Sequence, residues 1–253
     1  MGRIIAFANQ KGGVGKTTSA VNTAAALGSL GHDTLLIDLD AQGSATAAVG
    51  VRKRGLRYTV RDVLVGGCCA EDAVISTDFK KLDLIPANIS LAGAEFDLLD
   101  GDEATDYLKN ALADIRYRYD FIIIDCPPSL GMLTINALTA ADGVIIPMQC
   151  EYFALEGLTQ LSATITKIKK RYNPRLYLSG ILVTMYNARL SLSAQVMDEL
   201  KTHYGDRVFE TTISRNVKLC EAPSFGKPIM YYDKNAKGAQ NYLQLARELL
   251  ERV

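Results

Sequence analysis

Five apolar runs of strand length punctuate the chain: RIIAFA (3–8), TLLIDL (34–39), FIIID (121–125), GVIIPM (143–148) and LYLSGILVT (176–184). They are rich in β-branched residues and nearly continuous rather than alternating, which is the pattern of strands buried on both faces of a parallel sheet. Between them, residues 17–31, 102–119 and 155–172 space their apolar positions for helices. A last helical segment, 236–253, puts Tyr242, Leu245, Leu249 and Val253 on one side. Strand and helix alternate, so the pattern predicts an α/β fold with a mostly parallel, doubly wound sheet flanked by helices. No repeat, low-complexity tract or Pro/Gly/Ser linker interrupts this order, and residues 1–253 read as a single domain.

Composition narrows the class. With 253 residues and 48% hydrophobic content the chain can bury a large core. No run approaches the roughly 18 to 20 uninterrupted apolar residues of a membrane span, and the N-terminus lacks a signal-peptide pattern, so a cytoplasmic protein is expected. Five cysteines form an odd set without zinc-ligand spacing and read as reduced packing residues. Lys plus Arg equal Asp plus Glu at 28 each, which argues against a chain that is a polyanion binder over its whole surface. The balance is uneven: residues 1–150 hold 13 basic and 18 acidic residues, residues 151–253 hold 15 and 10.

The first strand runs into NQKGGVGKTTSA (9–20). The phosphate-loop pattern G-x-x-x-x-G-K-[ST] requires glycine at position 10, where this chain has Gln10, but the remainder is intact. Gly12, Gly13 and Gly15, with Val14 among them, let backbone N–H groups turn toward a polyanion, and Thr17 and Thr18 open a helix whose positive end faces it. Lys16 is placed to reach the β and γ phosphates, and the Thr17 hydroxyl to ligate Mg²⁺. Two further segments supply carboxylates. Asp38 and Asp40 stand at the C-terminal end of the second strand, where α/β sheets bind their ligands. Asp125 ends the third run before Pro127 and Pro128 and is the Walker B residue, expected to hold Mg²⁺ through a water.

The loop KGGVGKTT resembles the deviant Walker A loop of the ParA/MinD branch of P-loop ATPases, with Lys11 at the position of that branch's additional signature lysine. The resemblance implies a homodimer that sandwiches two ATP molecules, with Lys11 crossing to the partner's phosphates. A lysine at the loop's outer edge cannot easily repeat the contact made by Lys16, yet it can neutralise charge from the far side. DLDAQGS (38–44) is similar to the branch's DxDPQGN switch, which implies that Asp40 orients the attacking water and also lies near the metal. Asp38 would support either the magnesium water shell or the loop. Ala41 and Ser44 depart from the usual proline and asparagine, and Ala41 loosens the turn.

Similarity to chromosomal ParA, or Soj, proteins extends through residues 85–98, 125–142, 146–161 and 213–229. It implies slow ATP hydrolysis coupled to DNA segregation, with non-specific double-stranded DNA held in the ATP state, release triggered by a ParB-like centromere-binding partner, and a nucleoid location. The matching DNA-binding positions are Arg189 and Lys218, with Arg215 close by, and the basic excess of the C-terminal segment suits sequence-blind phosphate contacts. The resemblance puts the adenine near Met185 and Pro223. Two other readings stand beside this one. The first is a nucleotide-gated scaffold positioning a protein cargo with negligible hydrolysis. The second is a MinD-like membrane ATPase, which the glutamates of the terminal ELLERV oppose.

Overall fold

The structure is a computed structural model and describes residues 1–99, 104–151 and 154–252. Seven strands form one sheet: β1 (Arg3–Phe7), β2 (Thr34–Asp38), β3 (Ile75–Ser76), β4 (Leu82–Ile85), β5 (Phe121–Asp125), β6 (Gly143–Gln149) and β7 (Tyr177–Thr184). The helices in chain order are α1 (Lys16–Leu30), α2 (Ser44–Ala48), α3 (Val60–Leu64), α4 (Ala94–Leu99), α5 (Tyr107–Ala113) and α6 (Met132–Ala140). Then come α7 (Ala154–Arg171), α8 (Ser191–Tyr204), α9 (Val217–Glu221), α10 (Ile229–Tyr232) and α11 (Lys237–Arg252).

The strand order is β3-β4-β2-β5-β1-β6-β7, parallel throughout except for the short antiparallel β3. Helices cover both faces, which explains why the central strands carry nearly continuous apolar runs. Along β1, Ile4 and Ala6 enter one core with α5, α6, α7 and α8, whereas Ile5 and Phe7 enter the other with α1 and α11. Each fully buried side chain of this size contributes about 2 kcal/mol of transfer free energy.

All five expected strands are present. The helix expected over 102–119 is shorter: it runs Tyr107–Ala113 and is followed by a tight turn at Arg116–Arg118. Ile115 N–H already bonds the Leu112 carbonyl three residues back, and Arg116 is drawn out of helical register by the N-terminus, donating through Nε to the Gly2 carbonyl at 2.7 Å. The start of that expected helix, residues 102–103, lies outside the described residues, as does Val253. On α11, Tyr242, Leu245 and Leu249 are all buried, as the spacing requires.

Register explains where the chemistry collects. Phe7 and Asp38 both pair with Asp125, so the ends of β1, β2 and β5 lie level. β1 has β5 on one side and β6 on the other, so the loop after β1 opens at the point where the chain's progress across the sheet changes direction. Ligand crevices form at such points.

Candidate functional site

The loop between β1 and α1 is shaped by Gly13 and Gly15, whose φ angles of 75° and 82° are left-handed and favour glycine. It rims a cavity of about 390 Å³ lined by Gly12, Gly13, Gly15, Lys16, Thr17 and Thr18, with Asp40 opposite. Val14 is the exception: its side chain is buried, and its carbonyl accepts a hydrogen bond from the Thr184 hydroxyl at 2.8 Å. Lys16 is only 7% exposed, and its Nζ curls to 3.5 Å from the Lys11 carbonyl. Burial pulls the Lys16 pKa down, and the nearby Asp125 opposes that shift. A polyanion entering this cavity would supply the charge the ammonium lacks.

Asp125 is completely buried, and neither carboxylate oxygen has a hydrogen-bond partner. Burial pushes its pKa well above the carboxylate range and the facing Asp38 pushes further, while Thr17 and Lys16 pull the other way. A buried carboxylate left without partners is costly unless a cation or ligand completes it. Asp125 beside Thr17 therefore fits Mg²⁺, a hard cation that takes one or two protein oxygens and fills its remaining positions with water and phosphate. Among the described residues no three His, Cys, Asp or Glu side chains cluster into a ready-made metal cage.

The two aspartates of the switch segment have different surroundings. Asp38 is fully buried and accepts from the Thr46 backbone N–H and hydroxyl, both at 2.7 Å, and from the Asp40 N–H at 3.2 Å. Burial raises its pKa to about 6 against these hydrogen bonds. Its contacts point to the loop rather than to the cavity, so it fixes the position of α2. Asp40 is half-buried, lines the cavity, and accepts from the Gln42 N–H at 2.9 Å.

Lys11 is not part of the cavity lining. It is about half exposed and forms an ion pair with Glu151, just beyond β6. The end of β6 clasps the loop in two further places: Asn9 Nδ2 donates to the Pro147 carbonyl at 2.7 Å, and Gln149 Nε2 donates to the Gly13 carbonyl at 2.8 Å. Sequence reasoning missed Gln149 and Glu151. The available signal was the polar QCE placed at the end of an apolar strand, the same position that marks Asp38 and Asp125.

A second cavity of about 310 Å³ adjoins the first at Gly15 and Thr18 and has a largely apolar lining. Met185 and Pro223 both border it, and Met185 holds an unusual positive φ of 51°. Tyr242 of α11 also lines it and shares a hydrogen bond with Ser19 of α1 at 3.1 Å. Arg215, grouped by sequence with the DNA-binding residues, lines this same cavity. Arg189 is exposed, and Lys218 is exposed beside Glu221 at 3.3 Å and over the Tyr232 ring at 5.5 Å. Tyr186 and Ser214 bridge in parallel, so the segments that carry Arg189 and Arg215 run side by side.

The phosphate loop at the end of β1, the level carboxylates of β2 and β5 and the parallel sheet define a P-loop NTPase of the ParA/MinD type. A family model described as "AAA domain" matches residues 2–178. The chain is 51% identical to the sporulation initiation inhibitor protein Soj of Bacillus subtilis, over 98% of both chains. It is 48% identical to the chromosome partitioning protein ParA of Caulobacter vibrioides, over 99% of this chain and 94% of the relative. Among solved structures, cobyrinic acid a,c-diamide synthase from Mycobacterium smegmatis with a bound ATP analog and magnesium superposes with a TM-score of 0.87 at 40% identity, covering 99% and 95% of the two chains. The chain belongs to the Soj/ParA family of chromosome partitioning ATPases. Among the described residues no helix is long and apolar enough to cross a membrane.

Proposed function

We propose that this chain is a single ATPase domain that dimerises around two ATP molecules, binds double-stranded DNA without regard to sequence in that state, and releases it on hydrolysis. A ParB-like centromere-binding protein stimulates that hydrolysis, and the cycle moves DNA across the nucleoid. The observation that carries the reading is the contrast between the two loop lysines. Lys16 is buried in its own phosphate cavity, whereas Lys11 stands half exposed outside that cavity, on a counter-ion it can exchange.

The chain's own groups account for the chemistry. Backbone N–H groups of residues 12–17 and the Lys16 ammonium bind the β and γ phosphates, and the apolar cavity between Met185 and Pro223 takes the base. Thr17 and Asp125 would hold magnesium, which when bound would neutralise charge on the phosphates. Asp40 orients water in line with the γ phosphorus; a loose transition state rewards position more than basicity. Lys11 of each subunit offers its charge to the other subunit's phosphates, so catalysis and assembly are linked.

The test is Lys11→Ala. The protein should fold and bind ATP as a monomer, yet show no ATP-dependent dimer by light scattering and no ATP-dependent increase in DNA affinity. An ATP-dependent dimer in Lys11→Ala as strong as the wild type's would sink the reading.

A further inference from the structure

Parallel topology sends α7 from the nucleotide end of the sheet back to the opposite end, where β7 begins. The end of α7 and the turn after it read TKIKKRYNPR, so Lys167, Lys169, Lys170, Arg171 and Arg175 fall within nine residues without an acidic residue among them. All five are exposed. Three cations in a last turn complement the helix dipole, but more are present than that effect requires.

Several other cations at this end of the sheet are neutralised: Arg116 pairs with Asp142, Arg118 with Glu71 and Lys81 with Asp33, whereas Arg3 and Lys80 have no carboxylate partner among the described residues. Among the described residues none of the five α7 cations, nor Arg207 after α8, has a carboxylate within ion-pair distance.

A cavity of about 280 Å³ opens beside this run, with Lys169 on one wall, Arg207 on another, and hydroxyl groups of Ser162, Thr166, Tyr177 and Tyr204 between them. Ser162 Oγ and Tyr177 Oη are buried behind the recess without a hydrogen-bond partner. The two unpaired cations on the walls are the chemistry that holds a phosphate oxygen. The apolar residues that line the recess, Ile165, Leu176 and Leu178, are buried or half-buried, so the recess itself offers no exposed apolar anchor for a membrane or a protein hot spot; Met1 and Tyr117 are exposed elsewhere at this end.

We propose that the C-terminal end of α7, with the Lys169–Arg207 recess, is a second contact surface for the phosphate backbone of duplex DNA, at the end of the sheet opposite the nucleotide. This rests on the DNA-binding reading above and adds a surface remote from Arg189 and Lys218. Because no residue of the recess lines either nucleotide cavity, each subunit's recess contributes the same factor to DNA affinity with ATP and with ADP.

The experiment is a salt titration of labelled duplex DNA by fluorescence anisotropy, using wild type, the double variant Lys169→Gln with Arg207→Gln, and Lys218→Ala, each with ATP and with ADP. The double variant should keep the wild-type melting temperature and DNA-free ATPase rate. Its plot of log affinity against log salt should be shallower by about 1 to 2, since each lost phosphate contact removes about 0.9. Wild-type affinity and slope in the double variant would overturn the proposal and leave DNA binding intact. Absence of wild-type DNA binding in every nucleotide state would instead overturn the parent reading, and this one with it. A parallel arm uses phosphatidylglycerol vesicles; loss of vesicle binding alone in the double variant would reassign the surface to lipid and overturn the DNA proposal.

Discussion

Replacing Asp125 with Asn separates what the carboxylate costs from what it does. The wild-type group is fully buried, without hydrogen-bond partners, and faces Asp38 on the next strand. Its ordinary pKa is 3.8 and burial raises it well above that value. Neutralisation by proton uptake caps the cost: about 1.4 kcal/mol for each of roughly three pH units gives at most about 4 kcal/mol at pH 7. Loss of attraction to Lys16 and imperfect satisfaction of the new amide reduce the benefit, so Asp125→Asn should stabilise the ligand-free protein by less than that ceiling, each kcal/mol raising Tm by about 2–4 °C. The pH dependence has a definite sign. A carboxyl whose folded pKa lies above its unfolded value leaves the folded state holding the extra proton, so stability falls as pH rises from about 4 through the raised pKa, and Asn removes that slope. Ligand responds in the opposite sense. Mg-ATP a hundredfold above its Kd stabilises wild type by about 2.7 kcal/mol, and a hundredfold loss of affinity leaves about 0.4. Differential scanning calorimetry with and without Mg-ATP reads both effects. A variant that melts lower without ligand, or keeps the full Mg-ATP shift, would refute the reasoning.

Asp40→Ala should retain ATP-dependent dimers while kcat falls by about a hundredfold or more, as expected when a group that positions the nucleophile is lost; wild-type turnover would remove its assigned role. Thr46→Val preserves shape but takes a hydroxyl donor from buried Asp38 and an acceptor from the Ala87 N–H, at 2.7 and 2.9 Å. It should cost about 2–4 kcal/mol, read as a lower urea midpoint at constant m, and a midpoint within error of wild type would contradict it. Glu151→Gln frees Lys11 from a half-exposed ion pair worth at most about 1 kcal/mol, so the ATP concentration needed for dimers should drop by up to about fivefold. A higher ATP requirement would mean that Glu151 holds Lys11 in its productive position instead.

The strands that carry the site were legible because burial on both faces leaves β1, β2, β5, β6 and β7 with nearly unbroken apolar runs. β4 escaped: it has four residues, with Asp83 in the middle bonded to the Tyr119 hydroxyl at 2.9 Å. β3 has two residues and no pattern of its own. The phosphate loop could be read from local spacing, since backbone shape and helix start depend on neighbours in sequence. The partners of the loop could not. Glu151 meets Lys11 across 140 positions and Gln149 meets Gly13 across 136, through side chains whose direction only the finished sheet sets. Arg215 is similar: its neighbours in sequence are basic or polar, but its place just before α9 turns it to the cavity shared by Met185 and Pro223.

Tyr242 bears on how the protein is made. The wall it supplies to the base cavity and its bond to Ser19 join segments 223 positions apart, so the pocket draws on nearly the whole span from the first loop to the last helix. A nascent chain emerging from the ribosome exposes its phosphate loop early but lacks the floor of the base pocket until α11 follows. An incomplete chain would therefore hold nucleotide poorly. Nucleotide capture then waits for α11, and chains stalled or clipped before it would be kept out of ATP-dependent assemblies without any separate quality check.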